Sequence, residues 1–170
     1  MESGVRRGRR LGGVAAGAGL VHAAASLYWA VGDRGLLASV GQWAVDLTRQ
    51  APTAAGAVLA AVALLKLVAA GVPVAVACGR LPWSRMWRAV TWVGGSVLVL
   101  DGGVNTVVSA AVLAGVVRPE GGYDAGATAG HAFLWDPLFL VWGGFLVGSS
   151  WVSRRAASPG SAMAGAGAGR

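Results

Sequence analysis

Four residues that could do chemistry fall inside long apolar runs of this sequence: His22, Lys66, Asp101 and Asn105. Counting ~1.5 Å per residue from the middle of each run, as for helices of alternating direction, places His22, Lys66 and Asp101 within about 5 Å of one plane. A charge at the centre of a bilayer costs ~2.5–3.5 kcal/mol on insertion scales, so such residues usually face a bundle interior and pair. We therefore expect Lys66 and Asp101 to form an ion pair, with Asn105 one turn from Asp101 and His22 completing an intramembrane polar cluster.

The predicted cluster can be interpreted in three ways. A buried Lys–Asp pair can be purely structural and fix the register of the helices, which makes the protein non-enzymatic. The same groups can form a path for protons or a small solute, as in a small permease or proton conductor. They can also supply acid–base groups to a membrane-embedded enzyme that modifies lipid. We favour the structural, non-enzymatic interpretation, with the other two as alternatives.

Asp136 needs a separate interpretation because Pro137 follows it. Asp is a favoured N-cap, and Pro is favoured at the first helical position. The pair therefore predicts a helix cap at Asp136 and a helix that begins at Pro137, with a catalytic or transporting carboxylate as the alternative. The chain has no phosphate loop, nucleophile elbow or zinc motif, so we expect no catalytic residue, cofactor or metal.

The composition is that of a membrane protein. Of the 170 residues, 55% are hydrophobic and only 12% are charged, and the mean hydropathy is +0.61. Soluble domains carry about a quarter charged residues. A helix needs ~20 apolar residues to cross a ~30 Å hydrocarbon core. Four runs meet that length, at 11–31, 53–78, 89–117 and 131–152.

These runs predict an all-α fold, a four-helix transmembrane bundle. We expect a basic segment at 1–10, a membrane domain at 11–152 and a flexible tail at 153–170. In the loop after the first run, apolar residues from Leu36 to Leu47 recur at helical spacing. This spacing predicts a short amphipathic helix at the membrane surface, with a loop packed over the bundle as the alternative.

The basic residues predict an orientation. Most arginines lie in the N-terminus, in the loop between the second and third runs and in the C-terminus. Positively charged segments stay in the cytoplasm, so both termini are predicted to be cytoplasmic. The arginines are divided among several segments, so we expect no nucleic-acid partner in spite of the net charge of +7. The expected partner is the lipid bilayer, together with further copies of this chain or other membrane proteins.

Two other features bear on the bundle. Gly13 with Gly17, and Gly144 with Gly148, are four apart, which favours close helix contacts in a membrane.

The basic start of the chain and the small residues at 23–25 also resemble a signal peptide. Cleavage there is the alternative to a first membrane span.

Two stretches resemble a known family. They are VHAAASLYWAVGDRGLL, which begins at Val21, and WDPLFLVWGGFL, which begins at Trp135. Together they are similar to small bacterial integral membrane proteins of the uncharacterised domain of unknown function 3995, over about 11–152. The resemblance implies about four spans and a bacterial inner (plasma) membrane location. It implies no activity, cofactor or catalytic residue.

Overall fold

The structure is a computed structural model that describes residues 2–156, with the side chains of residues 6–8, 10–76 and 78–152. Its helices are α1 (Glu2–Ala30), α2 (Gln42–Gln50), α3 (Pro52–Ala77), α4 (Ser84–Leu113), α5 (Ala125–Gly130) and α6 (Asp136–Ala156), with a short 3₁₀ turn at Leu37–Ser39 and a π-helical turn at His131–Trp135. The predicted all-α fold class is confirmed. Helix α6 extends into the segment predicted to be a flexible tail, and residues 157–170 lie outside the described part.

Four helical segments are long and apolar enough to cross a membrane: Arg6–Ala30, Pro52–Val76, Ser84–Leu113 and Ala125–Val152. We call the end of the bundle that carries the N-terminus and the α3–α4 loop the terminal end. The opposite end, which carries the α1–α3 and α4–α5 connections, is the loop end. Because four of its segments are long and apolar enough to cross a membrane, the chain is a multi-pass membrane protein.

The four long helices do not pack as a symmetric bundle. Helices α1 and α6 pack together in the centre, α3 packs along α1, and α4 packs along α6. Helices α3 and α4 contact each other over only a few residues. The order across the molecule is therefore α3, α1, α6, α4, and a cleft remains between the two outer helices.

Glycines bring α4 close to α6. A β-carbon added to Gly102 would lie 2.5 Å from the backbone oxygen of Asp136, and one added to Gly143 would lie 2.5 Å from that of Gly95. In lipid, helices associate through such close packing because the hydrophobic effect does not drive them together. Gly13, Gly17 and Gly144 have no atom of another element within 4 Å of the position a β-carbon would take. The prediction that the glycines spaced by four make the close contacts is therefore wrong for these three.

The loop end is closed by short elements. Leu37, Ala44 and Val45 are buried and form a small apolar cluster with Trp29 and Trp135. A short amphipathic helix in the first loop is confirmed as α2, which begins at Gln42 rather than near Leu36 and buries Ala44 and Val45.

Candidate functional site

A column of three aromatic residues, which begins at the end of the π turn and continues on α6, lies at the centre of the bundle. Trp135, Phe139 and Trp142 follow one another at helical spacing and share one face. His22 of α1 stacks on Phe139 with ring centroids 3.9 Å apart and planes 15° apart. Its Nε2 donates to the backbone oxygen of Trp135 at 3.2 Å. The predicted midplane histidine is thus buried and hydrogen-bonded between α1 and α6.

Lys66 reaches this column from α3. Its ammonium nitrogen donates to Ser26 Oγ at 2.9 Å, and Ser26 in turn donates to the backbone oxygen of His22 at 3.2 Å. The same nitrogen lies 5.7 Å from the centre of the Phe139 ring, within the range of a cation–π contact. Lys66 and His22, which the sequence places at one depth, therefore belong to one polar cluster with Ser26.

The other half of the predicted cluster lies elsewhere. Asp101 is exposed and accepts a hydrogen bond from Asn105 on its own helix at 3.1 Å. Lys66 makes no ion pair with it, so the predicted Lys66–Asp101 pair is wrong. Depth along a helix follows from counting, but direction around the axis depends on packing, and α3 packs on α1 rather than on α4.

Asp136 is also not the cap that its Asp-Pro sequence predicts. Its carboxylate accepts from His131 Nδ1 at 3.0 Å and is almost fully buried. His131 Nε2 lies 3.2 Å from the backbone oxygen of Val40, which ties the pair to the loop end. Pro137 has no N–H, so the α-helical bond to the carbonyl four residues earlier cannot form, and a wider π turn precedes it instead. The helical path therefore continues through Asp136 and leaves its side chain free for His131.

The cleft between α3 and α4 has a volume of about 510 Å³. Phe139, Trp142 and Leu146 of α6 form its floor. Residues of two helices form its walls: Leu65, Lys66, Val68, Ala69, Val72 and Pro73 of α3, and Trp87, Val90, Thr91, Gly94, Val97 and Leu98 of α4. Among its lining residues Lys66 is the one that carries a charge. The Trp142 indole nitrogen is buried without a hydrogen-bond partner. The arrangement is an apolar groove with Lys66 among the lining residues at one end.

Sequence reasoning missed the partners of the polar residues more than the residues themselves. Ser26 is one helical turn from His22, but nothing in the sequence places it opposite Lys66 or places Phe139 beside both Lys66 and His22. His131 and Asp136 are five residues apart, which is the hydrogen-bond spacing of a π turn, and the proline after Asp136 is the one signal for it in the sequence. In the part that the structure describes, no group of three or more His, Cys, Asp or Glu residues could hold a metal ion.

Comparison with protein families finds one that this chain matches. The model of a family described as "Protein of unknown function (DUF3995)" matches residues 19–146. The chain belongs to the DUF3995 family. The match spans His22, Lys66, Asp136 and the residues that line the cleft, so these features lie within the DUF3995 region. Comparison with curated proteins and with solved structures finds no match.

Proposed function

We propose that this DUF3995 protein binds a long-chain carboxylate from the membrane in the cleft between α3 and α4, with the carboxylate on Lys66. The observation that carries the proposal is that Lys66, which has no acidic partner among the described residues, lines the deep end of an apolar cleft. Buried charges are usually paired, because an unpaired ion in a low-dielectric medium is costly. A ligand carboxylate would supply the missing charge.

The dimensions of the cleft support an acyl ligand. Along α4 the lining residues span from Trp87 to Leu98, which corresponds to ~16 Å at ~1.5 Å per residue. Half of a ~30 Å hydrocarbon core is ~15 Å. The volume of about 510 Å³ lies in the range of ~300–1,000 Å³ that small-molecule sites occupy. The cleft therefore suits one extended chain that enters sideways from one leaflet.

The contacts favour binding over catalysis or proton conduction. An enzyme that modifies lipid needs an acid–base partner in the cleft, but His22 is only 3% exposed and does not line it. A proton path through His22, Lys66, Asp101 and Asn105 would need a continuous series of hydrogen bonds that links all four groups. Asp101 and Asn105 instead bond to each other on the exposed side of α4. A non-enzymatic binding role needs only Lys66 and the apolar walls.

The proposal includes a location. We place the protein in a bacterial inner membrane with both termini in the cytoplasm, because most arginines lie at the terminal end and positive residues remain inside. The cleft extends from Lys66 towards that end, so the ligand would come from the cytoplasmic leaflet.

The test is photo-crosslinking in nanodiscs with a diazirine-bearing palmitate, competed by unlabelled oleate and read by mass spectrometry. We expect labelling of the cleft in the wild type. Lys66→Met should reduce apparent affinity roughly ten- to hundredfold, since a charge-assisted hydrogen bond contributes ~1.5–3 kcal/mol. Lys66→Arg should retain most of the affinity.

Two glycines provide matched variants for the walls. Gly94 lines the cleft and has open space above it, so Gly94→Leu should fill the cleft and prevent labelling. Gly71 also has open space but does not line the cleft, so Gly71→Leu should leave labelling unchanged. Equal labelling of the wild type, Lys66→Met and Gly94→Leu would refute the proposal.

A further inference from the structure

A second cavity, separate from the cleft, lies at the loop end and has a volume of about 260 Å³. Its lining residues are Ala25, Tyr28, Trp29, Gly35, Leu36 and Trp135. None of them lines the cleft that holds Lys66. Half of them are aromatic, and the volume is below the ~300 Å³ at which sites for drug-sized ligands begin. The cavity therefore suits a small group.

The two tryptophan rings beside this cavity meet edge to face. Trp29 and Trp135 have ring centroids 5.3 Å apart and planes 70° apart. Trp29 Nε1 donates to the Gly35 backbone oxygen at 2.7 Å, and Trp135 Nε1 donates to Ser39 Oγ at 3.1 Å. Because both indole N–H groups are already bonded, the rings have only their π surfaces to offer a ligand. The negative faces of such rings attract cations.

A carboxylate lies at the rim. Asp33 accepts from the backbone N–H of Arg34 at 2.8 Å and of Gly35 at 3.4 Å. The Tyr28 hydroxyl bonds to the same carboxylate and, more than the backbone bonds, holds the pKa of Asp33 below its ordinary value. Gly35 is a lining residue, so the carboxylate is one hydrogen bond away from the wall of the cavity.

A strained backbone conformation at the rim supports the interpretation of this cavity as a ligand site. Leu36 has φ 60° and ψ 0°, in the left-handed region that non-glycine residues rarely adopt. Its side chain lines the cavity although it is 65% exposed. Residues held in such conformations cluster at ligand sites.

We propose that this cavity binds a small alkylammonium group, with Tyr28, Trp29 and Trp135 as the aromatic walls and Asp33 as the counter-charge. Aromatic cages of this kind recognise quaternary ammonium ions through cation–π attraction. The group could belong to a free solute or to the headgroup of a lipid, since the loop end lies where the hydrocarbon core ends. The proposal is independent of the carboxylate site, so Lys66→Met should not change it.

Two small molecules test the chemistry. Choline carries the trimethylammonium group, and 3,3-dimethylbutan-1-ol has the same shape without the charge. Titration of the protein in phosphatidylglycerol nanodiscs, followed by tryptophan fluorescence, should show saturable binding of choline and at least about fivefold weaker binding of the alcohol. Equal binding of both molecules, or no binding of either a free or a lipid-borne trimethylammonium group, would overturn the proposal.

Exposed variants test the residues without disturbing the core. Asp33→Asn and Tyr28→Leu should each weaken choline binding about fivefold or more. Asp46→Asn is the matched control, because it removes the same charge from the same end of the molecule while its partner is Gln42 on α2. Unchanged binding in Asp33→Asn, or an equal loss in Asp46→Asn, would contradict the assignment of Asp33.

The source of the ligand is decided by changing the membrane. If a lipid headgroup is the ligand, phosphatidylcholine nanodiscs should shift the tryptophan emission in the absence of choline and raise the apparent Kd for added choline. If a free solute is the ligand, choline should bind equally well in both membranes. Either result supports the alkylammonium site, and the two differ only in where the group comes from.

Discussion

Replacing Gly102 by alanine should separate the two helices that form one half of the bundle. The added β-carbon would lie 2.5 Å from the backbone oxygen of Asp136 and 2.7 Å from the backbone nitrogen of Leu140. Both atoms belong to the backbone of α6 and cannot rotate away. Ordinary contacts of a β-carbon begin at 3.4 Å, so α4 and α6 would have to separate by roughly 0.9 Å.

The expected energy follows from this displacement. Overpacking a tight contact costs ~1–3 kcal/mol. Alanine is intrinsically better than glycine in a helix by up to ~1 kcal/mol, which offsets part of the loss. Gly103→Ala serves as the reference variant, because it gains the same helix propensity while its β-carbon would meet Leu140 Cδ1 at an ordinary 3.8 Å. The difference in unfolding free energy between Gly103→Ala and Gly102→Ala therefore isolates the packing cost of ~1–3 kcal/mol.

The assay is reversible unfolding in mixed micelles with increasing SDS, followed by tryptophan fluorescence. We expect Gly103→Ala to be as stable as the wild type or more stable, and Gly102→Ala to be less stable than both. If the two variants have the same unfolding free energy, α4 does not lie against α6 as described and the cleft between α3 and α4 loses its basis.

Three further outcomes follow from other contacts. His131→Ala leaves the buried Asp136 carboxylate without its partner and should lower the unfolding free energy by ~1–3 kcal/mol, whereas His131→Gln should recover part of the loss in the same SDS titration. Cys78 is exposed at the terminal end, so a membrane-impermeant maleimide should label it in inverted inner-membrane vesicles but not in intact spheroplasts, and the opposite pattern would reverse the proposed orientation. Because the pKa of Asp33 is lowered, its hydrogen bonds from Tyr28 and the backbone stabilise the folded loop at pH values above the ordinary pKa of 3.8, and this stabilisation is lost as the pH falls through the lowered folded-state pKa. The tryptophan emission should therefore be constant down to mildly acidic pH and change below it. This change should be absent in Asp33→Asn.

The fold class could be predicted because it depends on properties that each segment of the chain has by itself. The length of an apolar run and its lack of charge decide whether a helix can cross a bilayer, and neither depends on neighbouring helices. The amphipathic helix α2 was predictable for the same reason, since its apolar spacing is local. The depth of His22 and Lys66 also followed from counting, and the structure places them in one cluster through Ser26.

The partners of the polar residues could not be predicted, because they depend on how each helix is rotated and which neighbour it meets. Asp101 shares the depth of Lys66 by count, but α3 packs on α1 while α4 packs on α6, so the two charges do not meet. The spacing of glycines did not predict the close contacts for a related reason. A β-carbon at Gly102 or Gly143 would collide with a neighbouring backbone, whereas one at Gly13 or Gly17 would meet nothing within 4 Å.

By itself, the sequence determined that this protein is a four-span helical membrane protein, because hydrophobicity and helix length are local properties that the bilayer selects. Only the tertiary structure decided that Lys66 lines an open apolar cleft, that Asp136 pairs with His131 through a π turn, and that Trp29 and Trp135 meet edge to face beside a small cavity. These features require residues far apart in the chain to meet. Which residues meet is set by the close packing of glycines and aromatic rings between helices, and the spacing within any one helix does not contain that information.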